Sequence, residues 1–135
     1  MIPLDTPAGM NNCGIAAVAM LAGVSYREAE HLFVTLCGKC ETTTVWDRLD
    51  VIDHLGLTVI REMHYRSKPT LKTWVTHYPT QHDYLVSMTG HAVAVRNGLL
   101  YDQVYRCGIT PLQSPYTRKL IHSYVRLDND HYKPP

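Results

Sequence analysis

Cys13, His91 and Asp102 are the residues whose types and spacing point most directly to chemistry. Cys13 heads the apolar stretch Ile15-Ala16-Ala17-Val18-Ala19-Met20-Leu21, which reads as a buried helix. In the first turn of a helix, backbone N–H groups without partners and the macrodipole favour negative charge. They therefore favour thiolate, the reactive form of cysteine. Gly14 leaves room for a substrate backbone to approach. The plainer alternative for Cys13 is a small hydrophobe opening a core helix.

His91 and Asp102 flank Asn97-Gly98, a strong hairpin signal between two apolar runs. With these two as the turn, Arg96 pairs with Leu99, Val93 lies opposite Asp102 and His91 lies opposite Val104. His91 and Asp102 then share a face as diagonal neighbours, ~7–8 Å apart at the backbone. A carboxylate so placed can hold one imidazole nitrogen and fix the tautomer, leaving the other nitrogen for a thiol. A slip of one residue would put the two on opposite faces. Separately, each residue has an ordinary explanation: a satisfied strand histidine, and an edge aspartate facing water. Together the three supply nucleophile, base and orienting group.

Other constellations compete. Cys37-Gly38-Lys39-Cys40, joined by His31, His54 or Cys107, would be a candidate zinc site, with Cys37 and Cys40 as its core. A redox dithiol is a lesser reading of the same pair, because no βαβ pattern surrounds it. His77 and His82 flank Tyr78-Pro79-Thr80-Gln81 and could line a cleft or sit in an exposed loop. Nine tyrosines against one phenylalanine offer either a substrate groove (Tyr101, Tyr105, Tyr116, Tyr124, Tyr132) or half-buried sheet positions.

The elements that must position these residues follow from the hydrophobic periods. A helix is predicted over 13–22, with Asn12 as cap and Gly23 as stop. It is apolar all round and should be central. Ser25 and Glu28 have capping-box spacing, opening a helix over 25–36. A third is predicted over 44–55, with Val45, Leu49, Ile52 and Leu55 inward, and a short one over 70–77. Strands are predicted over 57–63, 84–88, 92–96, 99–105 and 121–127. Helices come first and an antiparallel sheet second, an α+β arrangement in one domain spanning 1–135.

Composition agrees with a packed domain. The chain has 135 residues, 45% hydrophobic and 19% charged, enough to bury roughly two-thirds of its unfolded surface. A formal charge of +1 gives no field to hold a nucleic-acid backbone or an anionic membrane. No apolar run reaches the ~18 residues of a membrane helix, and Met1-Ile2-Pro3-Leu4-Asp5 lacks the pattern of a secretion signal. The expectation is a cytoplasmic protein with free thiols and no cofactor.

Asn12-Cys13-Gly14-Ile15-Ala16-Ala17-Val18-Ala19-Met20-Leu21 resembles the nucleophile helix of papain-like cysteine peptidases, nearest to the bacteriocin-processing type that cuts double-glycine leaders. Tyr84-Leu85-Val86-Ser87, Gly90-His91-Ala92-Val93-Ala94-Val95 and Asn97-Gly98-Leu99-Leu100-Tyr101-Asp102 resemble that family's histidine strand, turn and aspartate strand, in the same order. Small phage and bacterial proteins share this look. The resemblance implies a papain-like fold, with a central nucleophile helix packed on a C-terminal antiparallel sheet, and a Cys13–His91–Asp102 triad. The family places a glutamine shortly before the cysteine to complete the oxyanion hole. Pro7 stands here, so Asn11 and Asn12 are the candidate donors beside the Cys13 N–H. The family's peptidase domain normally belongs to a transporter, and no membrane span accompanies it here.

The leading expectation is a cysteine hydrolase acting on a peptide, isopeptide or other acyl bond of a peptide or protein substrate, with acyl transfer chemically close. The alternatives are a catalytically weak papain-like scaffold that binds or inhibits a protein, possibly phage-encoded, and a zinc-stabilised interaction domain.

Overall fold

The computed structural model describes residues 1–9, 11–78 and 82–128. Four helices, α1 (Cys13–Ala22), α2 (Tyr26–Cys37), α3 (Val45–His54) and α4 (Leu71–His77), accompany five strands. These are β1 (Val59–His64), β2 (Asp83–Met88), β3 (His91–Arg96), β4 (Leu99–Tyr101) and β5 (Ile121–Leu127). They form one antiparallel sheet in the order β1-β5-β2-β3-β4. The fold is α+β. β1 and α4 precede β2, as the strand expected over 57–63 and the helix expected over 70–77 require, and β1 pairs with the last strand.

α1 is apolar on every side, and Gly14 through Leu21 are all buried. It packs against β3 and is flanked by α2 and α3. Ala16, Ala17 and Ala19 on the helix, with Ala92 and Ala94 on β3, are buried small residues that leave little between helix and strand. Gly23 stops α1 in the left-handed region at φ 71°. Asn12 holds the cap position, but its side chain makes no cap hydrogen bond. Ser25 caps α2 by accepting from the Glu28 N–H. The reciprocal capping box is at α3, between Thr44 and Asp47.

Alternation along β2 separates two cores. Leu85 faces α1–α3, with Ala94, Val125 and Leu127. Tyr84, Val86 and Met88 face the other way, with Val93, Val95 and Tyr124, and pack on Leu71 and Trp74 of α4. On α3 Arg48, Val51 and Ile52 are buried. Of the expected stripe Val45–Leu49–Ile52–Leu55, Ile52 is in the core and Leu49 and Leu55 pack half-buried against it, while Val45 stays outside that cluster.

The hairpin has the counted register, with Arg96 opposite Leu99, Val95 opposite Leu100 and Ala94 opposite Tyr101. Strand β4 ends at Tyr101, short of the expected residue 105. Asp102 ends it, because its Oδ1 accepts the N–H groups of Val104 at 2.9 Å and Tyr105 at 2.7 Å and bends the chain into a turn.

Candidate active site

Cys13 is the first residue of α1 and His91 the first of β3. Packing α1 on β3 therefore brings the helix head to the strand start. The Ala92 N–H donates to the Cys13 sulfur at 3.3 Å. His91 Nε2–H donates to Asp102 Oδ2 at 2.8 Å, with both side chains almost completely buried. The other ring nitrogen, Nδ1, is buried and has no aligned protein partner, and the Cys13 thiol is its titrating neighbour.

Asp102 is held from several sides. Besides His91 and the two turn N–H groups, the Tyr116 hydroxyl donates to Oδ2 at 2.6 Å. The Tyr116 ring lies 5.0 Å from the imidazole, centre to centre. Burial alone would raise the Asp102 pKa. The His91 hydrogen bond outweighs it, with the Tyr105 N–H and the Tyr116 hydroxyl, and holds the carboxyl below its ordinary value.

His91 moves the other way. Burial would lower its pKa, but the bond to Asp102 and the proximity of Cys13 push it up to about 9. Burial would raise the Cys13 pKa, and the opposing effects of His91, the Ala92 N–H and the Arg48 charge bring it below the ordinary thiol value. A depressed thiol beside a raised imidazole is the condition for a thiolate–imidazolium pair.

The sulfur opens on a pocket of about 270 Å³ lined by Asn11, Cys13, Gly14, Thr42, Thr43, Arg48, Met88, Gly90, His91 and Ala92. Of the two expected oxyanion donors, only Asn11 lines it. The Asn12 side chain is turned to other partners, donating to the Tyr26 hydroxyl at 2.8 Å and accepting from Gln103. Gln103 also donates to the Pro7 carbonyl at 2.8 Å, so this pair ties the N-terminal lead-in to the Asp102 turn.

No family model, curated protein or solved structure matches the chain.

The remaining sequence candidates lie elsewhere. Cys37 is half-buried, with its thiol directed at the Asp47 carbonyl at 3.7 Å, and Cys40 is exposed. Neither meets His31, His54 or Cys107 as a ligand set: among the described residues no three His, Cys, Asp or Glu side chains come together around a metal position. His77 is exposed and bonds the Thr73 carbonyl, and His82 lies against Arg126. Among the described residues no tyrosine lines the Cys13 pocket. Tyr124 belongs to the aromatic core with Trp74, Tyr78 and Tyr84. Tyr132, Pro79, Thr80 and Gln81 lie outside the described residues.

Arg48 escaped the sequence reading, and Tyr116 entered it only as a candidate groove tyrosine, not as a partner of Asp102. Tyr116 follows a 3₁₀ turn (Pro111–Gln113) in an irregular segment, where no period announces burial. Arg48 did leave a trace. It lies four residues before Ile52 and three before Val51, on the apolar face of α3.

Proposed function

We propose that the chain is a papain-like cysteine hydrolase that cleaves an acyl bond of a peptide or protein. One observation carries this reading: Cys13 and His91, distant in sequence, meet at one pocket, and Asp102 stands behind the base with a buried 2.8 Å carboxylate–imidazole bond. The papain-like assignment rests on a nucleophile opening a central buried helix, a histidine opening a sheet strand beside it, and an aspartate ending the next strand.

In this mechanism the Cys13 thiolate attacks the acyl carbon. The electron pair of the C=O π bond moves to oxygen, within reach of the first-turn N–H groups of α1 and the Asn11 side chain. His91 gives its proton to the departing amine or alcohol as the tetrahedral intermediate collapses. His91 then takes a proton from water, which attacks the thioester and regenerates the thiolate. Asp102 keeps Nε2 protonated and Nδ1 toward sulfur. Four unpaired cysteines suit a reducing compartment, so the same reading places the protein in the cytoplasm.

An activated ester such as p-nitrophenyl acetate tests the reaction class. The expected result is a burst of one nitrophenol per protein, with the acetyl group found on Cys13 by mass mapping. Cys13→Ala should abolish the burst with a nearly unchanged melting temperature, and His91→Ala should abolish it too. A burst that survives Cys13→Ala rejects the mechanism. Absence of any burst in the native protein favours a binding scaffold.

A further inference from the structure

Arg48 is a guanidinium 6% exposed that lines the Cys13 pocket, and its hydrogen-bond partners among the described residues are all neutral. Nη1 donates to the Thr43 carbonyl at 2.8 Å and the Thr43 hydroxyl at 3.0 Å, and Nη2 donates to the Ser87 hydroxyl at 2.9 Å. Nε is buried without a partner. Among the described residues no carboxylate forms an ion pair with it. The nearby acid, Asp47, is spent on Lys39 at 2.8 Å and on the α3 cap. A buried charge with only neutral partners is costly, and something charged must offset it.

The candidate is close by. A Cβ built on Gly14 would stand 3.0 Å from Arg48 Nη1, so the guanidinium occupies space opened by the missing side chain of the residue after Cys13. Ser87, which anchors Nη2, pairs across the sheet with Ala92, whose N–H touches the Cys13 sulfur.

We propose that Arg48 is the fixed cation of the reaction, offsetting the negative charge that begins on the Cys13 sulfur and passes to the oxygen of the tetrahedral intermediate. This rests on the cysteine-hydrolase reading and deepens it. Charge counting supports it. At rest the site holds Asp102⁻, His91⁺, thiolate and Arg48⁺, which sum to zero. Attack forms the C–S bond and moves one electron pair from the C=O π bond to oxygen, so the negative charge changes atoms and the sum stays zero. Collapse expels the leaving group with the proton of His91, leaving a neutral thioester, neutral His91, Asp102⁻ and Arg48⁺, again zero. Without Arg48 every state would carry one uncompensated negative charge in a buried site. A guanidinium here also does the work assigned to the side-chain amide whose place Pro7 takes.

The groups that face the Cys13 sulfur are His91 and Arg48. Those that act on Arg48 are Cys13 and Asp47. The test alkylates the intact protein with neutral iodoacetamide and anionic iodoacetate at about pH 6, where an ordinary thiol is almost wholly protonated. Modified peptides are quantified by mass. In the native chain, the iodoacetate-to-iodoacetamide ratio at Cys13 should exceed that at exposed Cys40 and Cys107 of the same molecule. Arg48→Gln should bring the Cys13 ratio down to theirs and slow iodoacetamide about tenfold or more, while Arg48→Lys, which keeps the charge, should retain most of both. A Cys13 ratio at or below that of Cys40 in the native protein overturns the proposal without any variant. So does a fast Cys13 that Arg48→Gln leaves fast. A Cys13 as slow as Cys40 toward iodoacetamide instead overturns the cysteine-hydrolase reading on which the proposal stands.

Discussion

Asp102 Oδ2 takes hydrogen bonds from both His91 and Tyr116, while Oδ1 takes the Val104 and Tyr105 N–H groups. In the proposed mechanism Tyr116 is a positioning residue that acts through Asp102. Tyr116→Phe removes one donor from a buried carboxylate, at a cost of about 1–3 kcal/mol. The expected kinetic result is a fall in kcat with KM little changed, read with the ester substrate. A larger effect on KM would mean that Tyr116 shapes the pocket instead. Activity should follow a bell in pH. On the acid side the depressed thiol protonates and the nucleophile is lost. On the alkaline side His91 loses its proton near about 9 and cannot supply the leaving group. Activity that climbs steadily through that pH would be the behaviour of an ordinary thiol. At this scale the meeting of His91 and Asp102 was legible because a two-residue turn fixes register, and register fixes which side chains meet. Tyr116 was named only as a candidate groove tyrosine, and its burial against Asp102 was not legible, because an irregular segment carries no period. Arg48 stood at helical spacing within an apolar face, where a charged side chain marks a function or a paired ion.

Between elements, the close contact of α1 with α3 depends on Gly14. A Cβ there would collide with the Thr43 hydroxyl and come within 2.9 Å of Arg48 Cδ. Alanine raises helix propensity by about 1 kcal/mol over glycine, so an unconstrained site would gain stability from Gly14→Ala. Here overpacking, about 1–3 kcal/mol, opposes that gain and displaces Arg48. The expected outcome is a lower melting temperature and slower Cys13 alkylation. Adding Thr43→Ala should recover part of the melting temperature. A raised melting temperature in the single variant would show that α3 is not packed as described. The elements themselves were largely readable. The all-apolar helix had to be central, and the Asn97-Gly98 turn had to join two strands. Strand β4 was overextended because Val104 and Tyr105 look like strand residues, while the Asp102 carboxylate captures their N–H groups for a turn. The sheet order was not readable, since nothing local in residues 59–64 announces pairing with residues 123–127.

Across the molecule, the sheet carries two unlike cores. One is mainly aliphatic, built on α1 with Tyr26 and Phe33 as its buried aromatics. The other is aromatic, centred on Trp74 with Tyr78, Tyr84 and Tyr124. Because β2 contributes alternate residues to both, the layers should unfold together. Trp46 is 64% exposed and stacks on His64, so Trp46→Phe leaves Trp74 as the reporter of the aromatic core. Its fluorescence and the far-ultraviolet circular dichroism, dominated by the helices, should give the same urea midpoint. Distinct midpoints would mean two separable layers.

Against the effect of burial, the Cys13 thiol is held below its ordinary pKa by the imidazole and the guanidinium beside it. The most direct measurement is the thiolate absorbance difference between the native protein and Cys13→Ala, followed as pH is lowered. The expected difference persists well below the ordinary thiol pKa of about 8.5 and moves upward when His91 is replaced by alanine. A difference that vanishes below about 8.5 in the native protein, unmoved by His91→Ala, would contradict it.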